Sequence, residues 1–235
     1  TWAAAALGEA GRSPDKAHLD AIFRIAPTLR ALRHADGGLA RFHGGGRGLE
    51  GRLDHALAAA GVRATTPKGL SMGFARMSAG RTSVVVDAAS PPSGAASVNA
   101  HASTLAMELT SGRRPLIVNC GSGGMFGADW LRAGRATPSH STLCLAGLSS
   151  SRLGVEGLLG KARKEQLADV PKIVRVQQVP TEDGTLFVAG HDGYVGTHGL
   201  THVRQLDLSL DGRRISGEDT LGAMTSGDRR SFDKA

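Results

Sequence analysis

From Pro67 onward, short runs of apolar and β-branched residues are cut every few positions by glycine-containing turns, a rhythm that admits many short strands and little else. Phe74 to Met77 and Thr82 to Val86 flank Ser78-Ala79-Gly80-Arg81, which reads as a hairpin turn. Thr104 to Leu109 and Leu116 to Asn119 flank a second turn at Ser111-Gly112-Arg113. Further strands are expected at Thr142 to Leu145, Ile173 to Val179, Leu186 to Ala189 and Leu200 to Leu210. No helical runs separate them, so a parallel α/β sheet is disfavoured and a mainly β fold, an antiparallel β-sandwich, is expected. Leu158 to Ala168, rich in Lys, Arg and Glu, reads as one exposed helical excursion.

Upstream the period is helical, from Thr1 to about Ala64. Ser13-Pro14-Asp15 is a start signal, with a capping hydroxyl, Pro at the first helical position and an acid in the first turn. Leu19, Ile22, Phe23, Ala26 and Leu29 give one apolar face, and Pro27 is expected to kink or shorten that helix. After a loop holding Gly37-Gly38 and Gly44-Gly45-Gly46, Leu49 to Ala60 repeats the period, with Gly61 as its stop. The 235 residues suffice for one large domain or two small ones.

Twenty-eight Lys and Arg against 21 Asp and Glu leave a net charge of +7. Guanidinium groups bind planar anions bidentately, which suits a carboxylate, sulfate or phosphate partner, although coding bias produces the same composition. A nucleic-acid reader that stacks bases is disfavoured, because aromatic residues make up only 4% of the chain. No apolar run is long enough to span a membrane. Cys120 and Cys144 make no disulfide framework or zinc ribbon and read as buried free thiols, with a single bridge left open.

Leu116-Ile117-Val118-Asn119-Cys120 running into Gly121, Gly123 and Gly124 invites a dinucleotide reading, but Phe126 stands where the third glycine belongs. Gly44 to Gly48 lacks the Gly-Lys-Ser/Thr ending of a phosphate loop, so both segments are expected to be turns. Among the nine histidines, His18, His34, His43 and His55 have no partner at metal spacing, and surface or packing roles are expected. His191, His198 and His202 cluster around Asp192 and Tyr194 and read as a polar groove wall, or as a solvated sheet face. His101 and His140 each precede an expected strand and Asn119 ends the one between them, so the three converge if those strands are neighbours.

Taken in order, the run from Phe74 to Asp87 (FARMSAGRTSVVVD), Ala100 to Leu109 (AHASTLAMEL), Leu116 to Gly121 (LIVNCG), Ser139 to Leu143 (SHSTL) and Gly190 to Tyr194 (GHDGY) resembles the heparinase II/III-like family of polysaccharide lyases and relatives. The resemblance implies the terminal helices of an α/α-toroid over residues 1–66 and the first, incomplete part of an antiparallel β-sandwich over 67–235. It implies a piece of a longer protein that cleaves uronic-acid-containing glycans by β-elimination, inactive as this piece alone. That chemistry needs a donor for the uronate carboxylate, a base for the adjacent carbon-bound proton and an acid for the leaving oxygen. An anionic polysaccharide or oligosaccharide is the implied partner, and the cell envelope or periplasm the implied location, with the cytoplasm as the alternative.

Carried over by position, the family's catalytic sandwich histidine falls on Asn99, which cannot shuttle a proton. Its neighbour matches His101, and the acid that closes the same motif falls on Ser103. The resemblance further implies zinc held at His101, Asn119 and His140, with an amide replacing a carboxylate at 119 and so weakening the site. Tyr194, the one Tyr, is a groove candidate by position. Asn99, Ser103 and Asn119, polar but non-titrating, favour the alternative of a non-catalytic glycan- or envelope-binding relative.

Overall fold

Two four-stranded antiparallel sheets stack to make the fold in a computed structural model that describes residues 1–46, 48–62, 69–157, 164–172 and 174–235. The first sheet is β1 (Phe74–Ala79), β2 (Thr82–Asp87), β3 (Met107–Ser111) and β4 (Arg114–Ile117), in that order. A separate hairpin pairs β5 (Arg152–Gly157) with β6 (Lys164–Ala168). The second sheet holds β7 (Val174–Pro180), β8 (Gly184–Tyr194), β9 (Leu200–Ser209) and β10 (Ile215–Gly222), ordered β10-β9-β8-β7.

The core follows from the period-2 alternation of the strands. Ala75 and Met77 of β1, Val84 and Val86 of β2 and Leu109 of β3 pack against Phe187 and Ala189 of β8 and Leu206 and Leu208 of β9. The Val84-Val85-Val86 run is uninterrupted because β2 is buried on both faces. Val85, on the opposite face, packs with Phe42 and Ala106, and Phe42 stacks on Phe74 at 5.3 Å.

Three helices precede the sandwich, α1 (Trp2–Glu9), α2 (Lys16–Leu32) and α3 (Arg52–Ala59), and Phe42 belongs to the loop between α2 and α3. Asp15, not Ser13, caps α2, its carboxylate accepting the Ala17 N–H at 2.7 Å. The helix runs through Pro27 to Leu32 because its end is held from outside: the Arg76 guanidinium of β1 donates to the Ala31 and Arg33 carbonyls, each at 2.9 Å.

Several sequence expectations change. The segment 142–145 is not a strand but irregular backbone, whose polar groups are taken by Thr104, by Tyr194 and by the Leu145–Leu148 bridge. Residues 164–168, expected to be helical, form β6, and 158–163 lie outside the described residues, as does the boundary at Pro67. Strand β3 begins at Met107, since Leu105 turns through a left-handed φ of 61°. Helices α4 (Ala128–Gly134), α5 (Val195–His198) and α6 (Ser226–Phe232) and strand β10 had no clear sequence signal. Both cysteines are free, but Cys120 is exposed and Cys144 half-buried.

Phe187 is fully buried and Leu210 is 68% exposed. Phe187→Ala is expected to cost about 3–5 kcal/mol of stability and Leu210→Ala less than about 0.5 kcal/mol, read from urea denaturation midpoints.

Candidate functional site

Where the helical segment meets the first sheet, a buried polar cluster is built outward from Glu108 of β3, which is 1% exposed. An Arg33–Leu39 bridge closes the turn after α2, tightened by Asp36 Oδ1 accepting the Gly38 N–H at 2.9 Å. That turn sets His34 Nε2 at 2.9 Å from Glu108 Oε2. The other carboxylate oxygen accepts the backbone N–H groups of Arg41 and Asn119, each at 3.0 Å, and the Asn119 side-chain amide at 3.3 Å. Asn119 Oδ1 accepts the Ser141 N–H at 2.8 Å, which fixes the chain beside His140.

His140 and His101 are brought together, although not by neighbouring strands since 142–145 is no strand, with Nε2 of the first 3.2 Å from Nδ1 of the second. The His101 backbone N–H donates to His43 Nδ1 at 3.1 Å, so the His43 proton sits on Nε2, which faces Asp87 Oδ2 at 3.4 Å. Asp87 also accepts the Ser103 hydroxyl at 2.6 Å. Gly44, with φ +73°, roofs the cluster: a Cβ there would lie 3.1 Å from His101 Nε2.

Burial pushes His43 and His140 down to about 4 and His101 to about 3, and the neighbouring imidazoles add to the shift at His101 and His140. All three rings are therefore neutral at physiological pH. Burial pushes Asp87 up to about 7, partly opposed by its bonds from Ser103 and the Ala89 backbone. The cluster can donate and accept hydrogen bonds, but His43, His101 and His140 supply no positive charge at neutral pH.

The remaining sequence candidates lie elsewhere or are occupied. Asn99 is exposed, and its carbonyl borders Gly44. Tyr194 lines no groove: it is fully buried, and its hydroxyl donates to the Leu143 carbonyl at 2.9 Å. His191 and His202 are likewise buried rather than on a groove wall or a solvated face. They form a chain in which the Gly193 N–H meets His191 Nδ1 at 3.0 Å, His191 Nε2 meets His202 Nδ1 at 3.1 Å, and His202 Nε2 meets Asp219 at 2.7 Å.

Zinc, which the resemblance implies, does not fit the residues as arranged. The donors are two imidazoles and a neutral amide whose oxygen and nitrogen are both hydrogen-bonded. Among the described residues, no group of three His, Cys, Asp or Glu side chains is placed to hold a metal ion. His34, His43, Asp87 and Glu108 were not singled out from sequence. His34 and His43 lie 74 and 58 residues from their partners, beyond the reach of any spacing rule. The acid missing at Ser103 was the available hint toward Asp87.

With this geometry in place, comparison with known proteins identifies the lineage. The model of the heparinase II/III-like C-terminal family matches residues 62–233, and the chain belongs to that family. It is also similar to FtsZ-localized protein C of Caulobacter vibrioides, 34% identical over 222 residues, which are 93% of this chain and 38% of that protein. No solved structure matches it.

Two measurements check this site. Zinc in the purified chain is expected well below one equivalent by elemental analysis, and unchanged by His101→Ala. The second concerns pH. Unfolding frees His43, His101, His140 and His191, the last also pushed down by burial to about 3, so the unfolded state takes up their protons below 6.5. Stability is therefore lost as pH falls from 6.5 toward 4. Asp87 acts oppositely, since its raised value costs stability as pH rises from 3.8 to about 7. Four groups outweigh one, so stability should rise with pH across this range. Asp87→Asn should steepen the rise, gaining up to roughly 4 kcal/mol on wild type between the two ends.

Proposed function

We propose that this chain is the β-sandwich module of a heparinase II/III-like protein that no longer performs β-elimination and works as a binding module positioned with FtsZ. The carrying observation is the proton inventory of the site. The position of the family's catalytic sandwich histidine is held by exposed Asn99, and the imidazoles behind it are buried, neutral and hydrogen-bonded to each other or to the backbone. An elimination needs a base and an acid that exchange protons near neutral pH. Asn has neither form, burial holds these rings neutral, and Asp87, pushed up to about 7, is itself buried and engaged by Ser103 and His43.

The name of the Caulobacter relative supports a role beside FtsZ and, with it, the cytoplasmic rather than the envelope alternative. The chain spans 38% of that relative's length, so helices α1 to α3 read as the end of a larger helical domain, the toroid of the sequence expectation. A second reading, a uronate-glycan lyase with an anionic polysaccharide substrate, is supported by the family match over 62–233. It would draw its base and acid from outside this chain.

The natural protein containing this chain is expected to co-sediment with GTP-assembled FtsZ and to release no unsaturated uronide from heparan sulfate or alginate. Uronide release, followed by ultraviolet absorbance, would overturn the proposal in favour of the lyase reading.

A further inference from the structure

At the end of the strands opposite the buried cluster, three hairpin turns interlock. Gly80, between β1 and β2, and Gly212, between β9 and β10, pack so closely that a Cβ on either would collide with the backbone of the other turn. Thr82 Oγ donates to the Gly212 carbonyl at 2.6 Å, and the Gly112 N–H of the β3–β4 turn donates to the Arg81 carbonyl at 2.6 Å. These turns carry Arg81, Arg113, Arg114, Arg213 and Arg214, all exposed. The acid among them is Asp211, 4.0 Å from Arg213 and otherwise spent on Ser209 Oγ and the Arg213 N–H. Among the described residues, Arg81, Arg114 and Arg214 make no ion pair, while Arg113 borders a cleft that also holds Asp36, Glu50 and Asp54. Glu182 and Asp183 lie beyond, on the β7–β8 turn, which the Leu210 N–H reaches through the Asp183 carbonyl at 2.9 Å.

We propose that this arginine face docks an acidic, extended polypeptide segment. Like charges gathered on rigid turns with few internal partners repel one another, a cost relieved by an external anion. The interlocked backbone holds the arginines' attachment points in place, so less order has to be imposed on binding. Guanidinium groups match carboxylates bidentately. Two features favour a peptide over a glycan or a lipid surface. Arg114 opens β4, an edge strand with Arg114, Pro115 and Leu116 exposed, along which another strand can pair through its backbone. Leu210 and Leu116 are the large apolar side chains exposed on these turns and on β4, too few for a wedge into lipid. This proposal does not rest on the function proposed above.

Fluorescence anisotropy of a labelled oligo-glutamate peptide with the whole chain at physiological salt tests it. Heparin and phosphatidylglycerol vesicles serve as competing probes. Binding of the peptide is expected, weakened about tenfold or more by the combined change of Arg81, Arg113 and Arg114 to Gln. Arg229→Gln with Arg230→Gln, which removes charge from α6, should leave it within about twofold. Matching melting temperatures would show that each variant folds. Absence of peptide binding, equal loss in both variants, or tighter binding to heparin or vesicles would overturn the proposal.

Discussion

Glu108 is the group on which the arrangement depends. A carboxylate taken out of water must find donors on nearly every side, and this one finds them on three segments distant in sequence: the turn at His34, the loop at Arg41 and the strand end at Asn119. Its demands lash the helical segment to the first sheet and place Asn119, which in turn sets Ser141 beside His140. Arg204 plays the converse part on the second sheet. Its guanidinium is paired to Asp219, and one nitrogen donates to the Leu105 and Ser141 carbonyls, each at 2.7 Å. The segment at His140 is thus held from both sheets, by an anion through Asn119 and by a cation directly.

The consequence for chemistry is a buried cluster whose imidazoles at 43, 101 and 140 are held neutral and spent on hydrogen bonds. His101, Asn119 and His140 keep a shared location, while His43 and Asp87 come in from outside the motif. Every nitrogen facing another within this set is matched donor to acceptor without an imidazolium, which is the economical solution when burial penalises charge. Such a cluster fixes the loop that carries Phe42, His43 and Gly44 over the sheet. Its contribution is shape.

Much of the sandwich was legible in sequence, because strand alternation and glycine turns act locally. The β1–β2 hairpin, the β3–β4 turn and the long strands β7 to β9 follow directly from them. What escaped was non-local. The segment 142–145 has the composition of a strand, yet its hydrogen bonds go to loops, and residues 164–168 are charged like a helix surface but pair with β5. The site was half legible: His101 and His140 were named as candidates for one spot, but loops and not neighbouring strands bring them there, and the partners that decide their chemistry, His43, Asp87 and Glu108, are supplied by tertiary packing alone. Tyr194 and His191 looked like groove residues because polar side chains suggest solvent, but each buried polar atom found a partner instead.

The central claim is that the imidazoles of His43, His101 and His140 are neutral and take up no proton at working pH. Nitrogen-15 and carbon-bound proton resonances of His43, His101 and His140, followed by NMR from about pH 5 to about pH 8, test it directly. The account predicts three neutral rings that do not titrate in that range, with the His43 proton on Nε2. A ring among them that titrates near neutrality, or a His43 protonated on Nδ1, would contradict it.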